Sequence, residues 1–223
     1  MPSISTKPLT AGDVVFKCKP LLHCTIPSHK GKVCDNCLKR VVGDNHIRVV
    51  LELKKCAKCR QMYYCGKDCQ TMDWKYHKKE CKVFRHQDFK ESNDYLFLRL
   101  YLCIKSDPTF ATKRHQLFDG SDVCLNDMKV SDEFIANIST TDKWMKQLHI
   151  ICKTCESVGI EYDFKELLQW FAFVLKNSFD IHSYVGDIPR LLTYVTLVST
   201  KHRLCTKRRF GGSGGHEIDS TGR

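Results

Sequence analysis

The chain has 223 residues, 42% of them apolar and 27% charged, which is the make-up of a folded globular protein rather than a disordered one. A chain this long buries enough surface to hold together without disulfides, so its 14 cysteines need another explanation. The net charge of +11 is uneven: residues 1–90 hold 19 Lys and Arg against 8 Asp and Glu, and the remainder holds 17 of each. A basic half of this kind raises the expectation of a nucleic-acid or other acidic partner; histone is the other partner expected for it.

The longest apolar run, residues 170–175, is six residues, against the roughly 20 that cross a bilayer. The first twenty residues lack the apolar stretch of a signal peptide. No membrane partner is expected, and the cysteines are placed in a reducing compartment, nucleus or cytoplasm, where they favour metal over disulfides.

In chain order, four stretches differ in character. Residues 1–31 hold a short apolar piece at 14–16, then Pro20, His23 and Pro27, and read as one or two strands and a loop. Residues 32–83 hold the metal-type residues, with one strand expected over 47–53. Residues 91–181 read as helices. Ser92 can cap one carrying Leu96, Leu100 and Cys103, stopped at Asp107-Pro108. A shorter helix follows Ser131. Asp142 opens another with Met145, Leu148, Cys152 and Cys155 in line and Gly159 past its end. Asp163, three residues before Glu166, resembles a capping box for a helix carrying Leu167, Phe171, Val174 and Leu175. Residues 182–223 lose the pattern and end in a Gly/Ser-rich tail, expected to be partly disordered. The fold class expected is α+β, mainly helical.

The cysteine spacing is the strongest signal. Cys34-x2-Cys37 is followed after eighteen residues by Cys56-x2-Cys59, after five more by Cys65-x3-Cys69, and after seven by His77-x3-Cys81. A structural zinc is tetrahedral and takes four Cys or His ligands, so eight ligands fill two ions and leave no open position. The x2 pairs suit tight knuckle turns. The x3 pairs put both ligands on one face of a helical turn. Spacing alone permits either sequential or interleaved pairing. Cys152 and Cys155 lie on an apolar helical stripe with no second pair nearby and read as core. Cys18 and Cys24 read as ordinary thiols, and His46 as a solvent-facing loop residue. Lys75, Lys78, Lys79 and Lys82 form a basic helix face. The run KHRLCTKRR at 201–209 resembles a nuclear-import or nucleic-acid patch.

The string Tyr64-Cys65-Gly66-Lys67-Asp68-Cys69-Gln70, then Asp73-Trp74, His77-Lys78 and Glu80-Cys81, resembles a MYND zinc finger over residues 34–81. The resemblance implies interleaved ligands: Cys34, Cys37, Cys65 and Cys69 on one structural Zn²⁺, and Cys56, Cys59, His77 and Cys81 on the other. It also implies a peptide-binding face at Gln70, Trp74, Met62 and Tyr64, suited to proteins with short Pro-rich motifs. Ala11-Gly12-Asp13-Val14-Val15, Pro20 and Gly31 are similar to the N-terminal SET fragment of SMYD-type protein-lysine methyltransferases. The helices ending in Asn177-Ser178-Phe179-Asp180-Ile181 are similar to the helical insert of that family. The domains implied are a SET fragment at 1–31, the finger at 32–83, the helical SET-insert region at 91–181 and a divergent tail at 182–223. Of the positions that contact S-adenosylmethionine in the family, only Asn177 has a match. The family's Gly-x-Gly turn, Asn-His segment, tyrosine and C-terminal Cys-rich site have none. The expectation is therefore a SMYD-like chain cut off before its catalytic core, an interaction module that does not bind S-adenosylmethionine; the alternative is the family's own activity, an S-adenosylmethionine-dependent histone or protein-lysine methyltransferase.

Overall fold

The computed structural model describes residues 8, 10, 20–39, 42–44, 47–49, 52–87, 89–116, 122–128, 130–184 and 189–195. The expected strand at 14–16, the SET-like segment at 11–15, Cys18, His46, the basic run at 201–209 and the Gly/Ser tail lie outside these.

Among the described residues the first strand is β1 (Leu22–Thr25), followed by a short hairpin of β2 (Val42–Asp44) and β3 (Ile47–Val49). A two-residue ladder follows, β4 (Lys54–Lys55) with β5 (Tyr63–Tyr64). Of the single strand expected over 47–53, the described residues show β3 at Ile47–Val49 and a separate pairing from Lys54; residues 50 and 51 lie outside the described ones. Helix α1 (Lys67–His86) carries the end of the finger, and α2 (Ser92–Ser106) follows it. After a small ladder of β6 (His115–Gln116) and β7 (Asp122–Val123) come α3 (Asp132–Thr140), α4 (Asp142–Ser157) and α5 (Phe164–Asn177). Strands β8 (Ser178–Tyr184) and β9 (Pro189–Val195) close the described chain.

Helix ends follow the local chemistry. The Ser131 side chain accepts from Phe134 N–H at the start of α3, and Asp163 accepts from Glu166 N–H at 2.7 Å at the start of α5. Past α4, Gly159 has φ +69°. Ile160 N–H donates to Cys155 O and Gly159 N–H to Glu156 O, the paired bonds that close a helix through a left-handed glycine.

Helix α2 is the centre. Every residue from Asp94 to Ile104 is buried, so this helix is enclosed on all sides rather than along the one stripe that its spacing indicates. It packs on α1, α5, β1 and β9. The sheet order is β1-β9-β8, all antiparallel, with Leu22 opposite Val195 and Ser178 opposite the same residue. Residue 182, where the sequence pattern fades, thus falls inside β8.

One buried group on α2 makes stability depend on pH. Among the described residues, Asp94 Oδ1 has no hydrogen-bond partner. Burial, and after it the Glu91 carboxylate, push the Asp94 carboxyl up to about 7. A carboxyl raised on folding favours the folded state below its unfolded value near 4 and loses that contribution as pH climbs through 7. Asp94→Asn is therefore expected to stabilise the zinc-loaded protein at pH 8 by about 1–3 kcal/mol, with the gain shrinking towards pH 6. Urea unfolding of variant and parent at both pH values checks this; an equal difference at both contradicts it.

Candidate metal centre

The two knuckles share one local geometry. Cys34 O accepts from Leu38 N–H at 3.0 Å, and Cys56 O from Arg60 N–H at 2.9 Å. In each, the residue four past the first cysteine is left-handed, Leu38 at φ 62° and Arg60 at φ 59°. A non-glycine residue there costs about 1–2 kcal/mol, a strain that metal binding can offset.

The structure brings the ligands together in interleaved sets. The donor atoms of Cys34, Cys37, Cys65 and Cys69 lie within 4.8 Å of one another, and so do those of Cys56, Cys59, His77 and Cys81. In the first set, Cys37 Sγ is 3.6 Å from Cys65 Sγ, and Cys65 Sγ is 3.4 Å from Cys69 Sγ. In the second, Cys56 Sγ is 3.9 Å from Cys81 Sγ, and Cys59 Sγ is 3.4 Å from His77 Nε2. Tetrahedral zinc with Zn–S near 2.3 Å needs sulfurs about 3.8 Å apart, so both sets fit the ion. Backbone N–H groups point at the sulfurs, Cys65 to Cys34 at 3.4 Å and Gln61 to Cys59 at 3.5 Å.

Three of the four helix-spaced ligands, Cys69, His77 and Cys81, lie on α1. Cys65 does not: Gly66 is the extended residue before the helix, so Cys65, one residue past β5, reaches the set from the bend between strand and helix.

Asp35, with no exposed surface, ties the two halves together. Its backbone N–H donates to Tyr63 O at 2.7 Å, Oδ2 accepts from Tyr63 N–H at 2.7 Å, and Oδ1 pairs with Lys30 at 2.8 Å. Gly31, at φ +80°, lets the Tyr63 ring approach; a Cβ there would stand 3.2 Å from it. Neither Asp35 nor Lys30 was legible as part of the site: the Tyr63 partner of Asp35 lies 28 positions away, and Lys30 joins through Asp35 and through the Met62 sulfur 32 positions away.

Of the four residues expected on a peptide face, Trp74 and Gln70 share one side of α1 and are accessible, Trp74 at 39%. The Trp74 ring meets His77 edge-on, centroids 5.9 Å apart. Met62 and Tyr64 are buried; Tyr64 turns its hydroxyl inward to Asp73 at 2.8 Å. Their side chains form the floor of the finger rather than its surface. Lys75, Lys78 and Lys82 are exposed on α1, Lys79 is half-buried, and Lys82 Nζ donates to Val158 O. Cys24, Cys152 and Cys155 are buried away from both ligand sets. Asn177 is buried at the end of α5, its Nδ2 donating to Phe173 O at 3.0 Å. Among the described residues, no helix is long and apolar enough to cross a membrane.

Comparison with known proteins matches residues 34–81 to the MYND finger family. The N-lysine methyltransferase SMYD2-B of Xenopus laevis is 35% identical over 77 residues, 34% of this chain and 16% of that protein. Human histone-lysine N-methyltransferase SMYD3 is 35% identical over 78 residues, 35% of this chain and 16% of its own. A SET and MYND domain-containing protein of Dictyostelium discoideum is 37% identical over 79 residues, 35% of this chain and 14% of its own. The matched stretch is thus about a sixth of these relatives' length. The matching family and the two tetrahedral ligand sets agree: residues 34–81 are a two-site, zinc-binding MYND finger of the kind carried by SMYD-type SET/MYND proteins.

Proposed function

We propose that this chain is a protein-interaction module in which zinc orders a docking face for a short Pro-rich peptide. Trp74 carries the reading: a large aromatic left 39% exposed, beside Met72 at 56%, on a helix that buries Val83 and Phe84. A proline-rich segment is already extended and loses little entropy on docking, and an aromatic wall suits its rings. Gln70, one turn earlier, supplies an amide for the peptide backbone. Strand addition to β5 at Tyr63 is not the mode, since Asp35 already holds both backbone groups of that residue. Trp74→Ala is expected to weaken binding of a Pro-rich peptide by more than tenfold, since a truncated aromatic anchor costs about 2 kcal/mol or more, while zinc content stays unchanged. Peptide titration by fluorescence anisotropy checks it; unchanged affinity in a folded variant contradicts the proposal.

A second reading follows from the relatives, two of which are named as lysine methyltransferases. Against it for these 223 residues stands Asn177, the single matching cofactor position, whose amide is engaged by its own helix. The chain by itself is expected to transfer no labelled methyl group to histone above a Cys65→Ser control. Turnover above that control would instead establish the methyltransferase reading.

A further inference from the structure

A buried polar knot joins the second ligand set to the helical region. Arg99 of α2 is 3% exposed and lies against two α1 carboxylates, Asp73 at 2% and Glu80 at 1%. Nη1 is 3.1 Å from Asp73 Oδ1, Nε donates to Glu80 Oε2 at 3.1 Å, and Nη2 donates to Glu80 Oε1. Nη1 also donates to the His23 carbonyl at 3.0 Å. Glu80 Oε1 in turn stands 3.5 Å from His77 Nδ1, an ion-pair separation longer than a well-made hydrogen bond, and that nitrogen has no hydrogen-bond partner among the described residues. The opposite ring nitrogen, Nε2, is the one that faces the second set.

A histidine bound to metal through one nitrogen needs an acceptor for the other, and that acceptor fixes the tautomer, the ring plane and the basicity of the ligand. Glu80 stands where that acceptor belongs. An unpaired carboxylate buried at that depth would be costly. The planar fork of Arg99 both neutralises it and fixes its orientation. Among the described residues no such chain supports the first set, which is all cysteine and takes an N–H bond from Cys65 within the finger itself.

The geometry points to Arg99 as a positioning residue for the second zinc. Acting through Glu80 on His77, it links the packing of α2 against α1 to metal affinity at Cys56, Cys59, His77 and Cys81, and leaves the first site alone. This rests on zinc filling both ligand sets.

The test is metal competition on the full chain loaded with cobalt(II), whose absorption differs between four-thiolate and three-thiolate–imidazole sites, so that each site is read separately. Arg99→Met is expected to weaken the Cys₃His site by about ten- to a hundredfold, Arg99→Lys less, with the Cys₄ site unchanged. Glu80→Gln should act in the same direction, and its effect should be less than additive with Arg99→Met because both break one chain of contacts. Should Arg99→Met fail to fold, Arg99→Lys carries the test. Equal weakening at both sites, or none at the Cys₃His site, overturns the inference. A parent protein that takes no metal in the second set would overturn the zinc assignment beneath it.

Discussion

Removing zinc is expected to unfold residues 34–81 and to uncover one side of α2. The finger has little else to hold it: its described ladders, β2–β3 and β4–β5, are three and two residue pairs long, and most of its described interior is cysteine, Met62, Tyr64 and the ligand-bearing side of α1. Metal binding to such a module is folding free energy, about 10–16 kcal/mol for a structural zinc, as large as the whole stability of an ordinary domain at about 5–15 kcal/mol. The loss reaches the helices because His77 stacks on Phe84, and Phe84 packs on Tyr95 of α2 at 4.9 Å. The ligand thiols also set a pH dependence. Without metal, burial and then the Cys59 and Cys56 sulfurs push Cys81 up to about 12. Burial acts the same way on Cys56, but backbone N–H groups and His77 outweigh it and bring that thiol down to about 6. Zinc must therefore displace protons, so its affinity falls as pH falls. Chelation or Cys81→Ser should abolish the cooperative melt of the finger and open it to protease. Cys152→Ser, outside both sets, should behave as an ordinary point mutant at about 1 kcal/mol. A chelated protein melting at the parent temperature contradicts this.

Phe171→Ala is expected to cost about 3–5 kcal/mol. Phe171 is fully buried on α5 and sits where three helices meet. Its ring is edge-on to Phe97 of α2 at 5.5 Å and to Trp144 of α4 at 6.2 Å. Truncation removes the transfer free energy of the ring and leaves a cavity between helices whose backbones are held elsewhere. Phe164, seven residues earlier and 45% exposed, is the control; its alanine variant should stay within about 0.5 kcal/mol. Equal losses at the two positions in urea unfolding would show that α5 does not pack as described.

Much of this was legible in local sequence. Helices α3 and α5 begin at the residues that mark them, Ser131 and Asp163, and α4 ends beside Gly159, because caps act within four residues; Ser92 and Asp142 are instead the first helical residues of α2 and α4, after Glu91 and Thr141, with no side-chain cap bond. The ligand pairs were legible from spacing, and their interleaving from the resemblance of the intervening residues. What could not be read depends on distant partners. Arg99 sits in an otherwise apolar run, and periodicity says nothing of carboxylates 19 and 26 positions away. Leu38 and Arg60 are left-handed without the glycine that normally marks such a turn. Met62 and Tyr64 were expected on a surface and are inside, since alternation in a two-residue strand is too short to assign a face.

The central claim is that two zincs join non-consecutive ligand pairs. Native mass spectrometry of the full chain under chelator competition tests it with two double variants. In Cys37→Ser/Cys65→Ser both lost ligands belong to one interleaved site, so one tightly held zinc should remain. In Cys37→Ser/Cys59→Ser one ligand is lost from each site, so no tightly held zinc should remain. The reverse pattern, with zinc kept in the second variant and lost from the first, would mean consecutive pairing and contradict the account.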